Sequence, residues 1–182
     1  IMSIQVNRGF IDSEFLKYVE DVFRNTEEEE GLIIGSGSDD FGHHPEIRSS
    51  KVKLLQDTGI TNHILTFVAS VNAKVYGFDI YNYTEQQYGI YDAKDKGHYS
   101  WHADTPTFVD SPTQRKFSIS VQLSDSDAYE GGDLEFKNVD VGTGVREKGT
   151  LILFPSYELH RVTPVTKGVR KSLVLWVYGP RF

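Results

Sequence analysis

Residues 150–178, TLILFPSYELHRVTPVTKGVRKSLVLWVY, decide the fold class of this chain. Three runs in this stretch are rich in β-branched and aromatic residues: Thr150–Phe154, His160–Val165 and Ser172–Tyr178. The breaks between the runs contain Pro155-Ser156 and Lys167-Gly168, which are turn signals. Short runs of this kind, with no helical pattern between them, predict antiparallel strands.

The same pattern extends towards the N-terminus as far as about Tyr76. It predicts five further strands: Tyr76–Tyr81, Gln86–Tyr91, His98–Asp104, Lys116–Ser124 and Asp133–Phe136. Many short strands without intervening helices are typical of a two-sheet sandwich or barrel. The pattern therefore predicts a jelly-roll core over residues 76–182.

Two helices are expected before the strands. In the first, Asp12 is a candidate N-cap, and apolar residues recur at helical spacing: Phe15, Leu16, Val19, Val22 and Phe23. The second carries the same spacing at Ile60, Ile64, Leu65, Phe67, Val68 and Val71. The polar stretch from Glu27 to about Pro45 is expected to be a loop, and whether it covers a site stays open. We predict one α+β domain over residues 1–182. Its core is all-β, and residues 1–75 form the helical support and loop that flank this core.

Composition limits the chemistry. The chain has 182 residues, a formal net charge of -7 and no cysteine. The negative charge argues against a nucleic-acid partner, and the lack of thiolates means that a metal would be bound by His, Asp or Glu. No apolar run is long enough to span a membrane, and no leader is evident. A soluble, cytoplasmic protein without a membrane partner is therefore expected.

Three elements carry candidate chemistry. In His102-Ala103-Asp104, residues two apart on a strand point to one face, so both side chains can bind one metal ion. His160 is the first residue of the strand that follows the apolar strand Thr150–Phe154, and its side chain is expected to point across the mouth of a barrel. Each element is weak alone: the H-x-D pattern is common by chance, and a single His is more often structural.

Arg170 and Ser172 form the third element. Alternation along the last strand puts Arg170, Ser172, Val174, Trp176 and Tyr178 on one face, and an apolar set on the other. A guanidinium with a neighbouring hydroxyl suits a carboxylate, because bidentate charge-assisted hydrogen bonds are strong and directional. Two His and one carboxylate leave positions open on iron(II) for a chelating 2-oxo acid, whose far carboxylate needs such a cation.

The chain resembles the iron(II)/2-oxoglutarate-dependent oxygenases of the prolyl 4-hydroxylase type from about Gln86 to Gly179. The motifs that carry the resemblance are YSWHAD (99–104), EGGDL (130–134), LFP (153–155) followed by His160, and VRKSL (169–173). The resemblance implies a double-stranded β-helix fold. It also implies that iron(II) is bound by His102, Asp104 and His160, and 2-oxoglutarate by Arg170 and Ser172.

The resemblance implies further contacts and co-substrates. Tyr91 is expected to reach 2-oxoglutarate, Gln122 to be a substitute polar contact, and Trp176 and Tyr99 to lie near the substrate. Dioxygen is the other co-substrate, and ascorbate is expected to stimulate. The implied reaction hydroxylates an unactivated carbon, with release of succinate and carbon dioxide.

The favoured substrate is a prolyl residue in a peptide or protein. Three alternatives stay open at this point. A free amino acid or other small molecule could be the substrate, the chain could be a non-enzymatic jelly-roll binding module, or it could be a cupin-type metal enzyme that does not use 2-oxoglutarate. Arg170 and Ser172 argue against the last, which has no reason to place a carboxylate receptor there. The oligomeric state is also open.

Overall fold

The computed structural model describes residues 4–33, 42–105 and 111–182, and within them two α-helices lie beside two antiparallel sheets. The helices are α1 (Ser13–Phe23) and α2 (Thr58–Val71), and a π-helical turn, Asn72–Tyr76, continues α2. The strands are β1 (Gln5–Asn7), β2 (Glu29–Glu30), β3 (Arg48–Ser49), β4 (Lys51–Leu54), β5 (Thr84–Asp92), β6 (His98–His102), β7 (Thr113–Gln122), β8 (Tyr129–Gly131), β9 (Leu134–Phe136), β10 (Leu151–Pro155), β11 (His160–Val162) and β12 (Val165–Pro180).

The strands form a larger and a smaller sheet. The larger has the order β1-β10-β7-β12-β5-β4-β2, with β8 pairing beside it on β12, and the smaller has the order β3-β6-β11-β9. This arrangement of two antiparallel sheets confirms the predicted jelly-roll. Within the described residues, no helix is both long and apolar enough to cross a membrane.

Both helices pack on one face of the larger sheet. Asp12 accepts a hydrogen bond from Phe15 N at 2.8 Å and so begins α1 as predicted, and Asp57 does the same for Ile60 N at the start of α2. The helices and the sheet share one core of fully buried residues: Val19, Ile60, Ile64, Val68, Phe117, Ile119, Leu173, Leu175 and Val177. The helices thus cover the outside of the sheet and leave its other face to the interior of the jelly-roll.

A second core lies between the sheets. It contains Tyr91, Tyr129, Leu134, Phe136, Val145, Ile152, Phe154, Val162 and Val165. The side chains of β12 alternate between the two cores, as predicted: Leu173 and Leu175 face the helices, and Ser172 and Trp176 face the interior. This alternation places the predicted site residues inside the jelly-roll.

The predicted strand Tyr76–Tyr81 is wrong. Tyr76 ends the π-helical turn, and Gly77 follows with a positive φ of 66°. The Asn72 side chain then binds both backbone polar groups of Phe78, accepting from its N–H at 2.9 Å and donating to its carbonyl at 2.8 Å. Because these groups are satisfied locally, the segment does not join a sheet.

Other differences concern short or merged strands. β1, β3 and β4 were not predicted, since two to four residues leave too little alternation to detect. β2 interrupts the predicted loop Glu27–Pro45, of which residues 34–41 lie outside the described part. β12 runs unbroken through the predicted break at Lys167-Gly168, where Gly168 has a φ of 70°.

Candidate metal centre and cavity

The smaller sheet brings the two predicted histidine ligands together. His102 ends β6 and His160 begins β11, and the two residues are direct partners in the ladder. Asp104 follows two residues after His102, and its backbone N–H donates to the carbonyl of Ser156 at 2.8 Å. Its carboxylate oxygens lie 3.5 Å from His102 Nε2 and 3.5 Å from His160 Nε2. Their potential ligand atoms all lie within 4.8 Å of one another.

Backbone hydrogen bonds orient both imidazoles. His102 Nδ1 lies 2.8 Å from the carbonyl oxygen of Ser100, and His160 Nδ1 lies 2.8 Å from that of Glu158. A carbonyl only accepts, so each Nδ1 carries a proton and each Nε2 is left to bind a metal. Both Nε2 atoms point towards the same carboxylate.

The protonation states suit metal binding. Burial lowers the pKa of His160 to about 4, so this imidazole is neutral near pH 7. Burial alone would raise the pKa of Asp104, but the neighbouring imidazoles of His160 and His102 outweigh it and hold this pKa well below its usual range. Ser118 Oγ also donates to Asp104 Oδ2 at 2.7 Å. The centre therefore offers an anionic carboxylate beside the lone pair of a neutral imidazole.

The three side chains fit a divalent transition-metal ion. Two imidazole nitrogens and one carboxylate on one side of the ion leave its other positions open, which is the ligand set of non-haem iron(II) sites. In the described part of the chain, His102, Asp104 and His160 are the single group of three or more such residues placed to share an ion. The structure therefore brings together the three predicted ligands, and their binding of iron stays a prediction.

A cavity of about 650 Å³ lies beside the metal centre. Arg170, Ser172 and Tyr91 line it together with the three candidate ligands. Arg170 is only 2% exposed, its Nη2 donates to Gln122 Oε1 at 3.2 Å, and its guanidinium carbon lies 5.3 Å from the centre of the Tyr91 ring. A buried guanidinium that lines a cavity suits an anion that enters it.

Trp176 and Tyr99, the predicted substrate contacts, also line the cavity. The Tyr99 ring stacks on His102 with a centroid separation of 3.5 Å and an interplanar angle of 11°. Trp176 is 9% exposed, and within the described part of the chain its indole N–H has no hydrogen-bond partner. These two rings give the cavity flat, largely apolar walls next to the metal ligands.

Two arginines in the cavity were missed by the sequence analysis. Arg115 on β7 lies 3.9 Å above the Trp176 ring and donates to Glu85 Oε2 at 2.7 Å. Arg48 on β3 is buried, its guanidinium carbon lies 4.7 Å from the centre of the Tyr99 ring, and its Nη2 has no hydrogen-bond partner among the described residues. Arg115 lies just before the predicted strand Lys116–Ser124, whereas β7 begins at Thr113, so alternation along the predicted strand did not include it.

The cavity mouth is lined by partly exposed apolar side chains. They come from the segment after β2, from the end of β4 and from the residues before β5: Leu32, Leu54, Leu55 and Tyr83. The arrangement as a whole combines three candidate metal ligands, a buried guanidinium and a partly apolar entrance. Such a cavity can hold an organic acid against a metal ion and admit a second, less polar molecule.

Comparisons with known sequences agree with this chemistry. The family profile described as 2OG-Fe(II) oxygenase superfamily matches residues 86–178, half of the chain. A PKHD-type hydroxylase of Teredinibacter turnerae is 37% identical over 89 residues, 46% of this chain and 39% of that protein. Another, of Hyphomonas neptunium, is 38% identical over 82 residues, 43% of this chain and 37% of that protein. The chain thus spans about two-fifths of the length of these curated relatives.

Solved structures show the same fold over nearly the whole chain. A viral collagen prolyl hydroxylase from Paramecium Bursaria Chlorella virus-1 has a TM-score of 0.69 at 20% identity, and the match covers 97% of this chain and 96% of that one. A prolyl-4-hydroxylase of Pseudomonas putida has a TM-score of 0.71 at 17% identity, covering 99% and 94%. A Trichoplax adhaerens prolyl hydroxylase, solved with a hypoxia inducible factor peptide fragment, has a TM-score of 0.72 at 17% identity. This match covers 97% of this chain and 84% of that one.

Proposed function

Because the chain belongs to the 2OG-Fe(II) oxygenase superfamily, we propose that it is an iron(II)/2-oxoglutarate-dependent dioxygenase that hydroxylates a prolyl residue in a peptide or protein. One observation carries the proposal: a two-histidine, one-carboxylate centre and a buried arginine line the same cavity. A binding module would not need these four residues in one place.

His102, Asp104 and His160 would hold the iron. When bound, iron(II) with 2-oxoglutarate supplies the activation of dioxygen that hydroxylates a carbon–hydrogen bond and releases succinate and carbon dioxide. The protein keeps the ligand geometry: the carbonyls of Ser100 and Glu158 orient the imidazoles, and Ser118 orients the carboxylate. The ligands need no reorientation to accept the ion.

Arg170 and Ser172 would bind the far carboxylate of 2-oxoglutarate. Arg170 offers the charge, and Gln122 holds one edge of its guanidinium and so limits its rotation. Tyr91 faces the same guanidinium from β5, where it is the ladder partner of Arg170. A dianionic co-substrate is favoured here because its charge compensates a buried cation.

The cavity entrance favours a peptide over a free amino acid. The half-exposed side chains of Leu54, Leu55 and Tyr83 at the mouth offer apolar contact area to the residues that flank a prolyl residue in a peptide, which a free amino acid lacks. A prolyl ring is apolar and suits a cavity that Trp176 and Tyr99 help to line. The solved structures that share the fold include prolyl hydroxylases, which supports the same substrate class.

A titration tests the proposal. The metal-free protein is titrated without oxygen with iron(II) and 2-oxoglutarate, and the visible metal-to-ligand charge-transfer band is followed, with His160→Ala as control. We expect a band that needs both additions and is lost in the control. Iron binding without a band would favour a metal enzyme that does not use 2-oxoglutarate, and no iron binding would favour a binding module. Succinate release with proline-containing peptides, compared with free proline, then tests the substrate.

A further inference from the structure

The turn between β8 and β9 packs against the side chain of Arg170. Its two glycines, Gly131 and Gly132, have positive φ angles of 70° and 65°. A methyl group on Gly132 would lie 3.1 Å from Arg170 Cδ and 2.9 Å from Val165 Cγ2. Since the packing leaves no free space here, the position of the turn determines where the aliphatic part of Arg170 lies.

Arg146, at the end of the short 3-10 helix Thr143–Arg146, binds this turn at three points. Its Nη1 donates to the carbonyl of Gly131 at 2.8 Å and to the carboxylate of Asp133, and its Nη2 donates to the carbonyl of Tyr129 at 3.0 Å. Its guanidinium carbon also lies 4.3 Å from the centre of the Tyr129 ring. One planar group thus fixes residues before, within and after the glycine pair.

Backbone contacts hold the turn on both sides of the glycine pair. β8 pairs with β12 at Gly131↔Val165 and Tyr129↔Gly168, and the register shifts between these pairs. Gly132 N–H donates to the carbonyl of Pro164 at 3.3 Å, and Thr163 N–H donates to that of Asp133 at 3.0 Å. Arg146 adds contacts from a third segment on both sides of the pair and so restricts movement of Gly132 towards or away from Arg170.

Arg146 does not line the cavity, so it acts through the turn. We infer that Arg146 is a positioning residue for co-substrate binding, because it fixes the Tyr129–Asp133 turn and thereby the side chain of Arg170. The inference rests on the proposed function, in which Arg170 binds the far carboxylate of 2-oxoglutarate. The ion pair with Asp133 is partly exposed and contributes little by itself. The two carbonyl contacts carry the effect.

The experiment compares Arg146→Gln and Arg146→Lys with the wild type and with Lys167→Gln. Lys167 is a matched control. Its ion pair with Glu130, at 3.0 Å, joins β12 to β8 beside the same turn, but both side chains are exposed. The affinity for 2-oxoglutarate is measured by calorimetry on anaerobic protein loaded with manganese(II) as a redox-stable substitute for iron. Metal affinity and melting temperature are measured on the same samples.

For Arg146→Gln we expect the Kd for 2-oxoglutarate to rise about tenfold, the size of effect typical for a supporting partner. The metal Kd stays unchanged, because the turn does not contact the ligands. Arg146→Lys should recover only part of the affinity, since an ammonium group cannot bridge both carbonyls, and Lys167→Gln should match the wild type.

Three outcomes would overturn the inference: a 2-oxoglutarate Kd in Arg146→Gln equal to that of wild type, a parallel loss of metal affinity, or full recovery in Arg146→Lys. If Arg146→Gln does not fold, the result of Arg146→Lys decides. Failure of the wild type itself to bind 2-oxoglutarate would instead contradict the proposed function.

Discussion

Replacing Arg170 with methionine removes the proposed co-substrate cation and keeps most of the side-chain volume. Arg170 is 2% exposed, so the wild-type charge is held in the protein interior. Methionine fills irregular space and leaves only Gln122 Oε1 without its 3.2 Å contact. The variant should therefore fold, and the substitution should weaken the binding of the 2-oxoglutarate carboxylate.

The magnitude follows from the contact that is lost. Hydrogen bonds to charged groups contribute about 1.5–3 kcal/mol each, and truncating one partner of a buried charge pair costs about 2–5 kcal/mol. Ser172 and Tyr91 stay in place and offset part of this loss. A net cost of about 3 kcal/mol corresponds to about a 150-fold weaker affinity for 2-oxoglutarate, since about 1.4 kcal/mol is a factor of ten.

The assay measures the Kd for 2-oxoglutarate on manganese(II)-loaded protein and the KM in a succinate-release assay. Arg161→Met is the control, because Arg161 also pairs with a carboxylate, that of Glu135 at 2.7 Å, but both side chains are about 40% exposed. Metal affinity should be the same in all three proteins. A Kd in Arg170→Met within twofold of wild type would refute the assignment of Arg170.

Four further predictions follow from the contacts described. Asp104→Asn should weaken iron(II) binding at least about a hundredfold in a metal titration, since it removes the anionic ligand; retained affinity would exclude Asp104 as a ligand. Ser118→Ala should weaken iron(II) binding about tenfold, because Asp104 loses a 2.7 Å hydrogen bond; unchanged affinity would contradict this role. Trp176→Phe should raise the peptide KM several-fold and leave the 2-oxoglutarate KM unchanged, because a smaller ring contacts less of the peptide. Equal shifts in both KM values would contradict a specific contact between Trp176 and the peptide. Ile64→Ala should lower the free energy of unfolding in urea by about 3 kcal/mol, because Ile64 is fully buried between α2 and the sheet; a loss under 1 kcal/mol would contradict the described core.

The parts of the fold and site that the sequence predicted are those set by local alternation and capping. The period of two along β12 placed Arg170, Ser172 and Trp176 on the cavity face, and the structure confirms it. Asp12 was recognised as an N-cap because capping depends on the residue itself. The aromatic-rich run from Tyr76 does not form the predicted strand, since the Asn72 side chain, rather than a neighbouring strand, binds both backbone groups of Phe78.

The parts that were missed depend on residues distant in sequence. Arg48 reaches the cavity because β3 pairs with β6, a pairing between strands about fifty positions apart that no periodicity reveals. Arg115 is partly buried by contacts with Glu85 and Trp176, each on a different strand. Either arginine looks like a surface residue when only its neighbours in sequence are considered, because burial of a charge depends on tertiary partners.

The sixteen-residue strand β12 has a consequence for how this chain tolerates change in length. It is paired on both sides over residues 172–177, and its side chains alternate between the helix-facing core and the cavity. Deleting one residue between Gly168 and Arg170 would exchange the two faces of the rest of the strand if the pairing of Val165–Gly168 with β8 were kept, because a slip of one position reverses every side chain. Lys171 would then take the place of the proposed co-substrate cation, while Arg170 would lie on the face that the helices cover. Insertions and deletions in this strand should therefore abolish folding and the proposed co-substrate binding together.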